Sequence, residues 1–149
     1  MNEFADILES IFRDVVPVLG HMGIRAVEAV PGRALLRLPY DEEISNHIGT
    51  VYAGVLFSFL ETTGGAIILT SLDVNRWIPV IVQATIRYMR PVTGTIDAVA
   101  ELSDEETASL VSLLEENPKS NWTITIRATD SLDNTVCEAD LTYRFRSIG

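Results

Sequence analysis

The sequence predicts an α+β domain in which a largely antiparallel six-stranded sheet wraps around one long buried helix. Three observations carry this prediction. Six stretches alternate apolar and polar residues with period two, the pattern of strands with one covered face. Between the second and third of them, Tyr52 to Leu72 is apolar around nearly its whole circumference, which marks a helix enclosed by protein. Finally, the 149 residues are 47% hydrophobic and 21% charged, and no repeat, low-complexity stretch or linker divides them, so residues 1–149 read as a single domain.

The elements follow in order. Phe4, Ile7, Leu8, Ile11, Phe12, Val15 and Leu19 fall at helical spacing, with Glu3, Asp6, Arg13 and Asp14 off their stripe, so residues 3–19 form an N-terminal helix that Pro17 and Gly20 bring to an end. A weak strand over 24–30 and a second in which Ala34, Leu36, Leu38 and Tyr40 oppose Arg33, Leu35 and Arg37 flank Pro31-Gly32 and form a hairpin. In the buried helix, Gly54, Gly64 and Gly65 each cost about 1 kcal/mol relative to Ala. Close approach of a neighbour or ligand, or a bend, accounts for them. The third strand places Ile78, Val80, Val82, Ala84, Ile86 and Tyr88 on one face and Gln83, Thr85 and Arg87 on the other, and stops at Arg90-Pro91.

Ile96, Ala98, Ala100 and Leu102 form the apolar face of the fourth strand. A short helical insertion between strands four and five opens with capping-box spacing at Ser103-Asp104-Glu105-Glu106, carries Leu110, Leu113 and Leu114 on one stripe, and ends at Asn117-Pro118. Trp122, Ile124, Ile126 and Ala128 mark the fifth strand, and Cys137, Ala139, Leu141, Tyr143 and Phe145 the sixth, with an Asp133-Asn134 turn between them.

Composition narrows the function. With 21 acidic residues against 11 basic ones the net charge is -10, which disfavours any role resting on broad attraction to nucleic acid or anionic lipid. Ten of the basic residues are Arg and one is Lys119, and Arg suits planar carboxylate and phosphate groups. Cys137 is the lone cysteine and no CxxC or His/Cys ligand spacing exists, which predicts a reduced, cytoplasmic protein with no metal site. The first ten residues carry Glu3, Asp6 and Glu9 with no basic region, unlike a signal peptide. Ile48 to Leu72 is long enough to span a bilayer, but Glu61 at its middle would cost about 3 kcal/mol there, and basic flanks are lacking. A core helix is the expectation.

Glu61 then becomes the residue to explain. A carboxylate on an apolar helix is costly unless it reaches the surface, pairs with an Arg, or serves chemistry. Burial should raise its pKa toward what a general base needs.

Asn46-His47-Ile48-Gly49-Thr50-Val51-Tyr52-Ala53-Gly54 leads into that helix. This stretch, the fifteen residues from Asn46 to Glu61, and the strand end Tyr88-Met89-Arg90-Pro91 resemble hotdog-fold acyl-CoA thioesterases of the PaaI-like group. The resemblance covers roughly residues 24–146. It implies a cofactor-independent hydrolase acting on an acyl-CoA or acyl carrier protein thioester. Glu61 would activate water or attack the carbonyl itself, and Asn46 would orient water or substrate, unless it only shapes its loop. The backbone N–H of Ala53 would hold the oxyanion at the helix N-terminus.

Tyr52 stands where the family has His and can donate a hydrogen bond to the carbonyl. Ile81 stands where many relatives place Ser or Thr, so a polar partner is missing. The substrate would contact Gly49, Gly54, Phe57, Leu60, Thr62, Arg87 and Arg90, with Ile67 and Ile68 along the acyl chain and Arg144 and Arg146 as further phosphate candidates. Thr62 and Thr63 could make up for the hydroxyl missing at Ile81 or simply pack the helix. Tyr52 and Glu61 lie nine residues apart, about 13 Å along a helix, too far to act together in one chain. The family's composite sites imply a homodimer with shared active sites, or a tetramer of two such dimers. The alternative is a non-catalytic acyl or acyl-CoA binding protein that keeps the same fold.

Overall fold

A computed structural model describes residues 3–147; the first two of the ten residues read as unlike a signal peptide lie outside the described residues. Its α-helices are α1 (Glu3–Ser10), α2 (Pro17–His21), α3 (Ala53–Ser71) and α4 (Asp104–Glu116). Its strands are β1 (Arg25–Val30), β2 (Arg33–Leu38), β3 (Trp77–Tyr88), β4 (Ile96–Glu101), β5 (Asn121–Thr129) and β6 (Thr135–Ser147). The six strands form one sheet in the order β1-β2-β4-β5-β6-β3, and every neighbouring pair is antiparallel. The sheet's inner face wraps α3, as the alternation and the all-round apolar helix predict.

α3 is long and apolar enough to cross a membrane by length and composition. Its apolar side chains are occupied otherwise. Phe59, Leu60, Ile67 and Ile68 are wholly enclosed against inner-face residues such as Ala34, Ala98, Ala128 and Ala139. Small side chains on the strands let the helix sit close. At Gly64 the approach is closest, because a Cβ there would lie 2.5 Å from Tyr143 Oη and 3.0 Å from Leu141 Cδ1. Close packing therefore explains Gly64, whereas a Cβ at Gly65 would meet nothing within 4 Å.

Two elements differ from their sequence patterns. The N-terminal helix is not continuous: α1 ends at Ser10, a π-helical turn covers Ile11–Val15, and Val16 leaves helical geometry at φ -125°, ψ 71°. Pro17 is the cause. It has no N–H to donate, its ring crowds the carbonyl four residues back, and it pushes Val16 toward extended backbone. The wider turn closes through Val16 N–H to Ile11 O at 2.8 Å, and Val15, expected on the buried stripe, is 69% exposed.

β3 carries a bulge between Ile81 and Gln83. Before it, Ile81 pairs with Tyr143 and Pro79 with Phe145; after it, Ala84 pairs with Leu141 and Ile86 with Ala139. One extra residue moves every later side chain to the other face. Ala84, Ile86 and Tyr88 thus face inward, but Ile78 and Val80 lie on the outer face with Arg146 and Arg144, and the single apolar face expected for this strand is split.

The edges are unlike each other. Along β1, Glu9 of α1 accepts the Ala26 N–H at 3.0 Å and the Arg25 guanidinium at 2.9 Å, so that edge is closed by a helix. β3, twelve residues long, has no strand on its other side among the described residues. Pro31-Gly32 turns β1 into β2, which stops at Leu38, short of Tyr40, and the Ser103/Glu106 capping box opens α4 with both hydrogen bonds formed, where Leu110 and Leu114 are buried and Leu113 is exposed.

Candidate active site

One part of the site is built at the N-terminus of α3. The loop before it is shaped by Asn46, whose Oδ1 accepts the N–H groups of Ile48 (3.0 Å) and Thr50 (3.1 Å) while its Nδ2 donates to Thr50 Oγ1 (2.8 Å). Gly49 supplies the φ of +80° that closes the turn, and Tyr40 Oη donates to its carbonyl at 3.0 Å. The loop is tied to the sheet side by Val51 N–H to Val92 O at 2.9 Å.

Tyr52 is the residue before the first helical turn and offers no side-chain cap. Its carbonyl takes the N–H groups of Val55 and Leu56, so those of Ala53 and Gly54 have no acceptor among the described residues. They carry the positive end of the helix dipole. The Tyr52 ring folds back over Gly54, where a Cβ would come within 2.6 Å of Cε2, so a side chain at position 54 would displace the phenol. Tyr88, at the inner end of β3, donates its hydroxyl to the Ala53 carbonyl at 3.1 Å. Beside this helix end lies a cavity of about 320 Å³ walled by Val51, Ala53, Leu56, Tyr88 and Val92, with Asn46 and Arg90 among its polar residues.

The other part is Glu61. Gly54, Phe57, Ser58, Glu61, Gly65 and Leu69 form the half-buried stripe of α3 that the sheet does not fully cover. Glu61 sits at its centre with no hydrogen bond or ion pair to its carboxylate among the described residues, and burial pushes its pKa above the usual carboxylate value. The buried Tyr143 phenol stands beside it, donating to the Glu61 backbone carbonyl at 3.2 Å; burial and the Glu61 charge together hold that phenol protonated. Thr62 and Thr63 turn their hydroxyls back onto the Ser58 and Phe59 carbonyls, at 2.6 and 2.9 Å. Both hydroxyl protons are thereby engaged within α3.

Glu61 does not line the cavity at the start of its own helix. Eight residues separate Ala53 from Glu61, about 12 Å along α3. Asn46, Ala53, Tyr52, Gly49, Gly54 and Arg90 are therefore gathered at one end, and Glu61, Phe57 and Thr62 along the middle. Leu60, Ile67 and Ile68 are wholly enclosed in the core, and Phe57 is the member of the expected acyl-lining set on the open stripe. Arg87 is engaged elsewhere. Its guanidinium binds Glu138 at 2.7 Å and Asp140 at 3.0 Å across the strands and keeps both carboxyls below their usual pKa.

Tyr88 and Tyr143 were read only as strand residues, and their contacts with α3 escaped the sequence reading. Each had a signal, an aromatic residue with a polar tip on an inner strand face. What places them against α3 is pairing across 35 and 82 residues of chain, which local pattern does not encode.

Comparison with known proteins agrees with this architecture. A crystal structure of a Pseudomonas aeruginosa protein, described as of unknown function and a probable thioesterase, superimposes with a TM-score of 0.88 at 32% identity, covering 96% of this chain and 95% of that one. A structure from Shewanella oneidensis assigned provisionally as a thioesterase gives a TM-score of 0.79 at 19% identity over 100% of both chains, and shares the fold. A provisionally named esterase of Halobacterium salinarum is 28% identical over 102 residues, 66% of each chain. Another, of Saccharolobus solfataricus, is 29% identical over 66 residues, and the match spans 44% of this chain and about half (47%) of that relative's length. The family described as Domain of unknown function (DUF4442) matches residues 5–144. The chain belongs to the DUF4442 family and has the hotdog fold of its thioesterase neighbours.

Proposed function

We propose that this protein hydrolyses acyl thioesters, with Glu61 as general base or nucleophile. One observation carries the reading: a half-buried carboxylate with a raised pKa, unpaired among the described residues, faces an open stripe of an otherwise apolar core helix. A structural carboxylate would pair with an arginine or reach water. A general base needs the raised pKa that burial supplies. The thioesterase and esterase names of the structural and sequence relatives support a hydrolase role.

In this reading the N–H groups of Ala53 and Gly54 receive the oxyanion as the thioester carbonyl becomes tetrahedral, where they need no reorganisation. Tyr52 stands beside them as a further donor. Asn46 acts chiefly by holding the loop, and its second Nδ2 hydrogen remains for water or substrate. The acyl group lies along the stripe past Phe57, and Arg90 faces the thioester's anionic end. The reaction adds water to the carbonyl carbon and releases acid and thiol, with the proton taken by Glu61 returned to the thiolate. The place of action is the cytoplasm.

The 12 Å between the two parts, together with the unprotected β3 edge, supports a homodimer. An unpaired edge of this length invites a second strand, and a two-fold axis brings the helix start of one copy to the Glu61 of the other. Two such dimers could join further.

A second reading, a non-catalytic acyl-CoA binding protein, draws on Ile81, which pairs with Tyr143 and supplies no hydroxyl of its own where many relatives of the resembled family have Ser or Thr. One assay separates them: thiol release from a panel of acyl-CoAs by the wild type and Glu61→Ala. Release abolished in the variant supports hydrolysis. Release that survives it removes Glu61 from the mechanism, and acyl-CoA binding without release favours the second reading.

A further inference from the structure

The two amides at the start of α3 that lack an acceptor among the described residues each share a peptide plane with a carbonyl. The Ala53 N–H belongs with the Tyr52 carbonyl, which the helix itself engages through the N–H groups of Val55 and Leu56, at 3.0 and 3.2 Å. The Gly54 N–H belongs with the Ala53 carbonyl, which is reached from the sheet: it accepts the Tyr88 hydroxyl at 3.1 Å. A peptide unit is planar, so a donor held on its oxygen also fixes the direction of its N–H. Such a bond polarises the amide and strengthens that N–H as a donor in turn. The phenol comes from an anchored strand end. Tyr88 pairs with Cys137 across β3 and β6, and the Met89 and Arg90 N–H groups that follow both go to the Val136 carbonyl, at 2.9 and 3.1 Å.

We propose that Tyr88 is a positioning residue of the thioester site, aiming and strengthening the Gly54 N–H as a donor to the oxyanion through the Ala53 carbonyl. The inference rests on the thioesterase reading. Tyr88 also walls the cavity of about 320 Å³ beside the helix end, so the phenol stands where a bound thioester would lie. Burial raises its pKa, and Cys137 and Tyr52 add to the rise, so the hydroxyl keeps its proton at neutral pH. A phenol has one proton to donate, and this one is spent on the Ala53 carbonyl. Tyr88 therefore acts on the reaction through the peptide and not by touching the substrate oxygen. Its effect grows with the charge on that oxygen, which is largest in the transition state.

Tyr88→Phe keeps the ring and removes the proton. In thiol-release assays with acyl-CoA it should lower kcat about fivefold and leave KM nearly unchanged, the share of a barrier that one net hydrogen bond carries. Fluorotyrosine placed at position 88 is a more acidic phenol and a stronger donor, and it should return kcat to the wild-type value or above; a role in packing alone would not follow the acidity of the hydroxyl. In the nuclear magnetic resonance spectrum of the free protein, the Gly54 amide nitrogen should move upfield in Tyr88→Phe while that of Gly65 stays. An unchanged kcat in Tyr88→Phe overturns the proposal, as does a loss confined to KM or an unmoved Gly54 resonance. If the wild type releases no thiol from any acyl-CoA, the thioesterase reading fails, and the Gly54 resonance alone then decides whether the phenol polarises this amide.

Discussion

Replacing Gly64 with alanine isolates the closest contact in the core. The new Cβ would stand 2.5 Å from Tyr143 Oη and 3.0 Å from Leu141 Cδ1, and both side chains are fully buried, so neither gives way easily. Overpacking of this kind costs about 2 kcal/mol. Displacing the phenol also loses its hydrogen bond to the Glu61 carbonyl, about 1 kcal/mol. Alanine returns about 1 kcal/mol of helix propensity. The net loss is about 2 kcal/mol, or a fall in Tm of about 4–8 °C for a chain of this size. Urea unfolding at one fixed protein concentration measures it, with the m-value unchanged. Gly65→Ala is the internal control: its Cβ meets nothing within 4 Å, so the same propensity gain should stabilise by about 1 kcal/mol. A loss at Gly65 would place a second chain or ligand against it. A Gly64→Ala protein as stable as the wild type would refute the packing account of that glycine.

Three further outcomes are expected. Glu61→Gln should lower the hydrolysis rate about 100-fold or more and remove the acid limb of the rate–pH profile, which in the wild type lies above the ordinary Glu value because burial raises this pKa. Folding favours the protonated form of such a group, so stability falls as pH rises from the unfolded pKa to the folded one. The Gln variant is accordingly the more stable protein at neutral pH, and the difference vanishes in acid. Ala53→Pro removes one N–H at a helix position that tolerates proline, after a residue already at ψ 136°, and should cut kcat about 100-fold without unfolding the chain. Mixed with Glu61→Gln, it should regain about a quarter of wild-type activity, since half of randomly assorted dimers carry one intact shared site; no recovery in verified mixed dimers would confine the site to one chain. Arg87→Ala should lose stability at neutral pH and flatten its decline in acid. Glu138 and Asp140 have lowered pKa values, and their contribution is present above the ordinary carboxylate range and lost as pH falls through the lowered values.

Much of the architecture is local information. The enclosed helix, the Pro31-Gly32 hairpin and the Ser103 capping box each depend on a few neighbouring residues, and each is legible as such. β3 is the instructive exception. Its apolar residues alternate without interruption from Ile78 to Tyr88, so an inserted residue at Val82 leaves no trace in the pattern while exchanging the faces around it. Pro17 was visible, but the π-helical turn it imposes depends on how Phe12 and Leu8 anchor the preceding helix in the core. Within the candidate site, Glu61 stood out because a charge in an apolar run is anomalous wherever the run folds. Asn46 was equally visible, yet its hydrogen bonds within the loop depend on a turn geometry that residue type alone does not specify. Arg87 looked available because its partners Glu138 and Asp140 lie more than fifty residues away.

The unequal edges of the sheet set how many copies can join it. Glu9 fills the N–H of Ala26 and so withdraws β1 from strand pairing, leaving β3 as the place where another chain can add. A subunit with one such place has a valence of one. When two copies join through it, each consumes the other's remaining edge and growth stops. Were both Glu9 and the helix covering β1 absent, both edges would be available, and the same pairing chemistry would extend from copy to copy into an open-ended ribbon. In the proposed dimer, Glu9 and the helix that carries it thus act as a chain terminator, separating a finite assembly from an unlimited one.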